Sequence, residues 1–159
     1  MSFFEDIRVG DTYALGRHTF TAAEIKNFAT RYDPQAFHVD ETAAKNSHFG
    51  ALCASGWHTA AVWMRSMVAY RRRASEAARG RGEAVGAIGP ALGFRDLKWL
   101  KPVYVNDAID YAAEVVEMRA SKSRPTLGLM SVRATGTNQN GELVISFVST
   151  TFVERRTKP

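Results

Sequence analysis

The chain is poor in the residues that cross-link, interrupt or insert. Its 159 residues include one cysteine, Cys53, and five prolines. A lone thiol forms no internal disulfide, so stability has to come from a packed core, and the composition suits a reducing compartment. The opening stretch, Met1 to Arg8, has no basic flank followed by an apolar run, so no secretory signal is expected and the location is read as cytoplasmic. No uninterrupted apolar run is long enough to cross a bilayer, which argues against a membrane protein. Metal ligands are also scarce. His38, His48 and His58 match no common zinc spacing and have a single cysteine beside them, so no metal is expected.

Acidic residues are in deficit, 16 against 21 Lys and Arg, for a net charge of +5. That balance raises nucleic acid as a partner, but no zinc finger, ribonucleoprotein motif or helix-turn-helix pattern accompanies it, and we set that class aside. The excess is concentrated in Arg71, Arg72, Arg73, Arg79 and Arg81, with Lys98 and Lys101 elsewhere. A solvated basic face at a helix end accounts for any one of these arginines, since cations there oppose the negative pole of the dipole. A phosphate-bearing molecule such as coenzyme A is the sharper alternative.

What is present is apolar content, 45% and evenly spread, enough for one domain over residues 1–159. Tyr13 to Phe20 reads as a strand. Thr21-Ala-Ala-Glu24 is a capping box, and Ile25, Phe28, Ala29 and Tyr32 follow at helical spacing until Pro34 ends the helix. Asp33 to Phe37 is then an irregular turn, and Asp40 caps a short second helix. A long helix runs from Gly56 to about Arg79, with Trp57, Ala60, Ala61, Met64, Met67 and Val68 as its apolar stripe. The second half changes period. Leu92 to Val103, Ala108 to Lys122, Pro125 to Asn138 and Glu142 to Arg155 read as strands, the last two joined by a tight turn at Asn140-Gly141. Long antiparallel strands after one long helix predict an α+β domain with a curved sheet wrapped around that helix.

The most informative stretch is Asp33-Pro-Gln-Ala-Phe-His38, followed by His48-Phe-Gly and then Ser55-Gly56. A carboxylate and an imidazole in one short turn form a proton-handling pair. Gly56 at a helix start leaves backbone N–H groups open to a ligand carbonyl, at the pole of the dipole that favours negative charge. Ser55 serves equally as N-cap or as a substrate contact. Asp40 is read as a cap, His58 as a helix-face residue and Cys53 as a small buried group.

These residues, in this order, resemble the MaoC-like dehydratases, close to (R)-specific enoyl-CoA hydratases. Gly93-Phe-Arg-Asp-Leu-Lys-Trp-Leu-Lys-Pro-Val-Tyr-Val-Asn-Asp107 adds a second stretch of similarity, and the element order extends it from about Phe3 to Val153. The resemblance implies a hot-dog fold, an antiparallel sheet wrapped around a central helix. It implies Asp33 and His38 as the catalytic pair, Gly56 as oxyanion donor, and Ser55, Phe37, Phe49 and Trp57 as substrate-binding residues. The activity implied is reversible hydration of a 2-enoyl thioester, a hydro-lyase reaction of fatty acid metabolism. Its substrate is carried on coenzyme A or an acyl carrier protein, with no separate cofactor, in a homodimer whose acyl pocket lies near the subunit interface. The chain departs from the family at the turn, where Asp-Pro-Gln-Ala-Phe-His replaces the frequent Asp-x-Asn-Pro-x-His. It departs again at the helix start, where Ser-Gly replaces His-Gly. A thioesterase on the same fold and a non-catalytic acyl-thioester-binding module are the competing functions.

Overall fold

Thr21 places its hydroxyl oxygen 3.3 Å from the Glu24 N–H, and the Glu24 carboxylate returns to Thr21, so the first helix starts where the capping box predicts. In the computed structural model, which describes residues 3–156, this helix α1 spans Ala22–Tyr32 and stops one residue before Asp33. The next segment is more regular than expected. Residues Ala36–Val39 close one helical turn, α2, and Asp40 accepts from the Ala43 N–H at 2.7 Å to cap α3, Glu41–Lys45. The long helix α4 runs Gly56–Gly80, about 37 Å at the usual rise per residue.

Five strands, β1 (Thr12–Thr19), β2 (Ile88–Trp99), β3 (Ala108–Ala120), β4 (Leu127–Thr137) and β5 (Leu143–Glu154), form one antiparallel sheet in the order β1-β3-β4-β5-β2. The sheet curves around α4, and Val62, Trp63 and Met67 of the helix are buried with Tyr111, Val132, Ile145 and Phe147 of the sheet. Trp63 fixes this packing. Its indole N–H donates to the Ala112 carbonyl at 2.9 Å while its ring meets Phe147 edge-on. The hot-dog architecture expected from the family resemblance is therefore present, as an α+β fold.

Three details correct the sequence reading. The apolar stripe assigned to α4 is mostly not its buried face: Trp57, Met64 and Val68 are exposed, while His58, Thr59, Val62, Trp63 and Met67 face inward. The helix carries two apolar faces, and periodicity alone does not say which one meets the sheet. Strand β2 begins and ends earlier than Leu92 to Val103: Leu100 keeps a backbone bond to Val144 of β5, and the chain then crosses through Pro102 and Val103 to the start of α4. At the β4–β5 turn only Gly141 has positive φ, +76°; Asn140 does not, and Asn138 brackets the turn through its side chain. Among the described residues, no helix is long and apolar enough to cross a membrane.

Candidate active site

Four segments converge on one cleft. Pro34 ends α1, so Asp33 sits at its C-cap with its N–H on the Ala29 carbonyl at 2.9 Å. The α2 turn then lifts His38 into the interior, where it is 5% exposed. The strand-like piece through Cys53 and Ala54 pairs with Val103 and Tyr104, and this pairing sets the position from which α4 begins. Tyr104 adds a tether by donating its hydroxyl to the Phe49 carbonyl at 3.0 Å.

The orientation of His38 fixes its protonation pattern. Its Nδ1 lies 2.7 Å from the Cys53 carbonyl oxygen, which only accepts, so Nδ1 carries the proton. In the neutral ring Nε2 is then a bare acceptor, and it faces Asp33 Oδ2 at 3.5 Å. Burial alone raises the Asp33 carboxyl, but hydrogen bonds from Ser55 and Gln35, with the charge His38 carries when its ring is protonated, bring it below its ordinary value. With the ring neutral, the pair is a carboxylate opposite an imidazole lone pair. Two acceptors cannot bond to each other; a molecule with two donor hydrogens, such as water, satisfies both.

Gln35 closes part of this geometry. Its side-chain amide donates to Asp33 Oδ1 at 2.8 Å, leaving Oδ2 for His38. The departure from the family turn thus brings its own donor to the acid. Ser55 caps α4 by accepting from the Trp57 N–H at 3.2 Å and lies near enough to the Asp33 carboxylate to help lower its pKa. It is 1% exposed and is not part of the cleft wall. Of its two expected roles, capping is the one its contacts carry, with support of Asp33 added.

Gly56 lines the cleft, and its N–H, the first of α4, has no partner within the helix. A larger residue there would have to displace the Trp99 ring. A Cβ would stand 2.5 and 2.7 Å from carbons of the Trp99 indole. Trp99 in turn meets Trp57 edge-on at 5.0 Å between ring centres, and both indoles are about half exposed at the mouth. Phe37 and Phe49, with ring centres 5.0 Å apart, form part of the apolar wall. The cavity holds about 410 Å³.

Of the residues singled out from sequence, Asp33, His38, Gly56, Phe37, Phe49 and Trp57 come together here. Missed were Gln35, Thr59 and the crossing segment Trp99 to Val103. The proline-punctuated run after β2 was visible, but nothing local in it announces a return to the start of α4. Lys101 also reaches the cleft wall, with its ammonium held by Glu142 at 2.5 Å. Cys53 is buried and its thiol pushed up to about 11 by desolvation, as fits a small core group.

His58 differs from expectation. It is buried, stacked on Phe28 with ring centres 4.5 Å apart and edge-on to Phe20 at 5.0 Å. Its Nδ1 is buried without a partner among the described residues. Burial drives its pKa down to about 4, against the pull of Glu24. Among the described residues no three His, Cys, Asp or Glu side chains gather as a metal cluster.

Comparisons with known proteins support the fold and the family. A MaoC-like dehydratase from Rhodospirillum rubrum superposes with a TM-score of 0.84 at 37% identity, covering 99% of this chain and 100% of that one. The mesaconyl-CoA hydratase of Cereibacter sphaeroides is 35% identical over 65 residues, 41% of this chain and 19% of that protein. An (R)-hydratase from A. caviae involved in PHA biosynthesis shares the fold at TM-score 0.63 and 19% identity, covering 96% of this chain and 99% of that one. The model of the MaoC-like domain matches residues 7–138, which include every cleft residue named above. The chain belongs to the MaoC-like domain family.

Proposed function

We propose that the chain is a hydro-lyase that adds water reversibly across the double bond of a 2-enoyl thioester to give the 3-hydroxyacyl thioester. The observation that carries this reading is the facing of two acceptors, Asp33 Oδ2 and His38 Nε2, at 3.5 Å beside the open start of α4. A water donating one hydrogen to each is held with its oxygen free to attack. As that oxygen bonds the β-carbon, one of the pair takes its proton, and a proton is returned to the α-carbon. Electron density moves onto the thioester oxygen, where the Gly56 N–H and the helix pole stabilise it. The named activities of the mesaconyl-CoA hydratase and the (R)-hydratase support the same reaction class.

Acid–base catalysis by a positioned group contributes roughly 10²–10⁴-fold. One oriented oxyanion donor contributes about 10²–10³-fold. Both parts are therefore needed. The apolar wall of Phe37, Phe49, Trp57 and Trp99 suits an acyl chain, with coenzyme A or an acyl carrier protein as its carrier. The test is hydration of crotonyl-CoA, followed as loss of enoyl absorbance. His38→Ala and Asp33→Asn should each lower turnover by at least about 10²-fold with an unchanged circular dichroism spectrum. Turnover like the wild type in either variant overturns the assignment, and release of free thiol instead of hydration assigns a thioesterase.

A further inference from the structure

We propose that a second cleft, at the far end of α4, is a binding site for a phosphate-type dianion. Arg71, Arg72, Ser75, Glu76 and Arg79 of the helix face the returning segment Val85 to Ile88 across a cavity of about 440 Å³. Three guanidinium groups and one carboxylate line it. Only Arg72 of the three has a carboxylate partner among the described residues, Glu76 at a loose 3.9 Å and largely in solvent. The nearby Glu154 carboxylate is committed to the Ala87 N–H at 2.7 Å.

Arg71 sets this cleft apart from an ordinary basic surface. Its Nε is buried with no hydrogen-bond partner among the described residues, and burial pulls the guanidinium below its ordinary pKa. Arg71 as a whole is half-buried, and a partly desolvated guanidinium without a carboxylate partner is costly, a cost that an oxyanion on its fork offsets. The helix dipole does not account for it. Dipole compensation is confined to about the last turn, whereas Arg71 lies nine residues before the end of α4 at Gly80. Excess positive charge, a recessed guanidinium and forks that match oxyanion edges together select a doubly charged, phosphate-type group. The cavity also has room for an organic substituent on the phosphoryl group. Fifteen residues of helix, about 22 Å, separate Arg71 from Gly56, so this cleft is distinct from the hydration site on the same chain.

Calorimetric titration in phosphate-free buffer of matched ionic strength tests the site, with inorganic phosphate and adenosine 3′,5′-bisphosphate as probes. Saturable binding of at least one probe at one site per chain is expected. Arg71→Gln and Arg79→Gln should each weaken it roughly ten- to hundredfold. Arg79 is exposed, so its variant remains informative if Arg71→Gln does not fold. Comparable affinity for both probes with no effect on crotonyl-CoA turnover assigns a free phosphate compound. Much tighter bisphosphate binding with inhibition of turnover assigns the nucleotide end of the thioester carrier. No saturable binding of either probe, or binding unchanged in Arg79→Gln, overturns the proposal and leaves the hydration assignment untouched.

Discussion

The imidazole of His38 and that of His58 show how the same side chain is set to different tasks by its neighbours. His38 has a carbonyl on one nitrogen and a carboxylate opposite the other, so its Nδ1 proton is placed and Nε2 is aimed at Asp33. His58 lies between Phe20 and Phe28 with Nδ1 unpartnered, so the neutral ring is favoured. Its pKa near 4 folded, against 6.5 ordinarily, has a consequence for stability. Between those values the unfolded chain binds the proton more tightly, so stability present at neutrality declines as pH falls from about 6.5 toward 4. The loss is up to about 3 kcal/mol. Urea midpoints at neutral and mildly acidic pH should show this decline in the wild type and a flatter dependence in His58→Gln. Equal slopes in the two proteins count against the assignment. Gly56 gives a second residue-scale prediction. Gly56→Ala drives a methyl group into the Trp99 indole, so the ring must move. A loss of about 1–3 kcal/mol is expected from overpacking, with an altered tryptophan emission and reduced crotonyl-CoA hydration. Unchanged emission together with unchanged turnover would refute the close packing of Trp99 on the helix start.

At the scale of elements, the turn between β4 and β5 tests how backbone conformation is divided among residues. Gly141 alone takes positive φ there, at +76°, while Asn138 accepts from the N–H groups of Asn140 and Glu142 at 3.0 Å each. Gly141→Ala should cost about 1–2 kcal/mol by urea unfolding. Asn140→Ala should cost clearly less; equal losses would contradict the observed conformation. The sequence pair Asn-Gly located this turn but not its geometry, because both residues tolerate positive φ and only the strand register decides which one adopts it. The same division runs through the fold. Helix starts at Thr21, Asp40 and Ser55 were legible because capping is local chemistry. The convergence of Asp33 and His38 was legible because both sit in one turn. The crossing of Pro102 and Val103 toward α4 was not, since it depends on pairing with residues about fifty positions earlier, such as Ala54. Gln35 looked like a loss relative to the family turn, and its role emerges only once its amide is seen on Asp33.

At the scale of the whole molecule, the misjudged stripe on α4 becomes informative. Trp57, Met64 and Val68 are exposed on the helix, and Leu92, Phe94, Trp99 and Leu100 are exposed on and just beyond strand β2. Among the described residues strand β2 pairs only with β5, so its other edge is open, although register shifts interrupt it between Ile88 and Ala91, Ala91 and Gly93, and Arg95 and Lys98. Large apolar side chains on an open sheet edge invite association, and a soluble protein rarely leaves so many uncovered. The homodimer expected from the sequence would cover this surface with a second copy of the chain, related by a twofold axis. Light scattering coupled to size exclusion should give about 35 kDa, twice the 17.6 kDa of one chain. Phe94→Glu and Val68→Glu together should yield the monomer at micromolar concentration, because charges at the centre of an apolar interface are left unpaired. Turnover should fall in the monomer even though Asp33 and His38 are untouched. Trp57, Trp99 and Leu100 form the rim of the cleft, and removing the second copy opens that rim to water, weakening every electrostatic interaction inside. A wild-type chain that runs at its single-chain mass and still hydrates crotonyl-CoA would show that the exposed stripe serves no self-association. A charged double variant that stays dimeric with full activity would place the contact on another face.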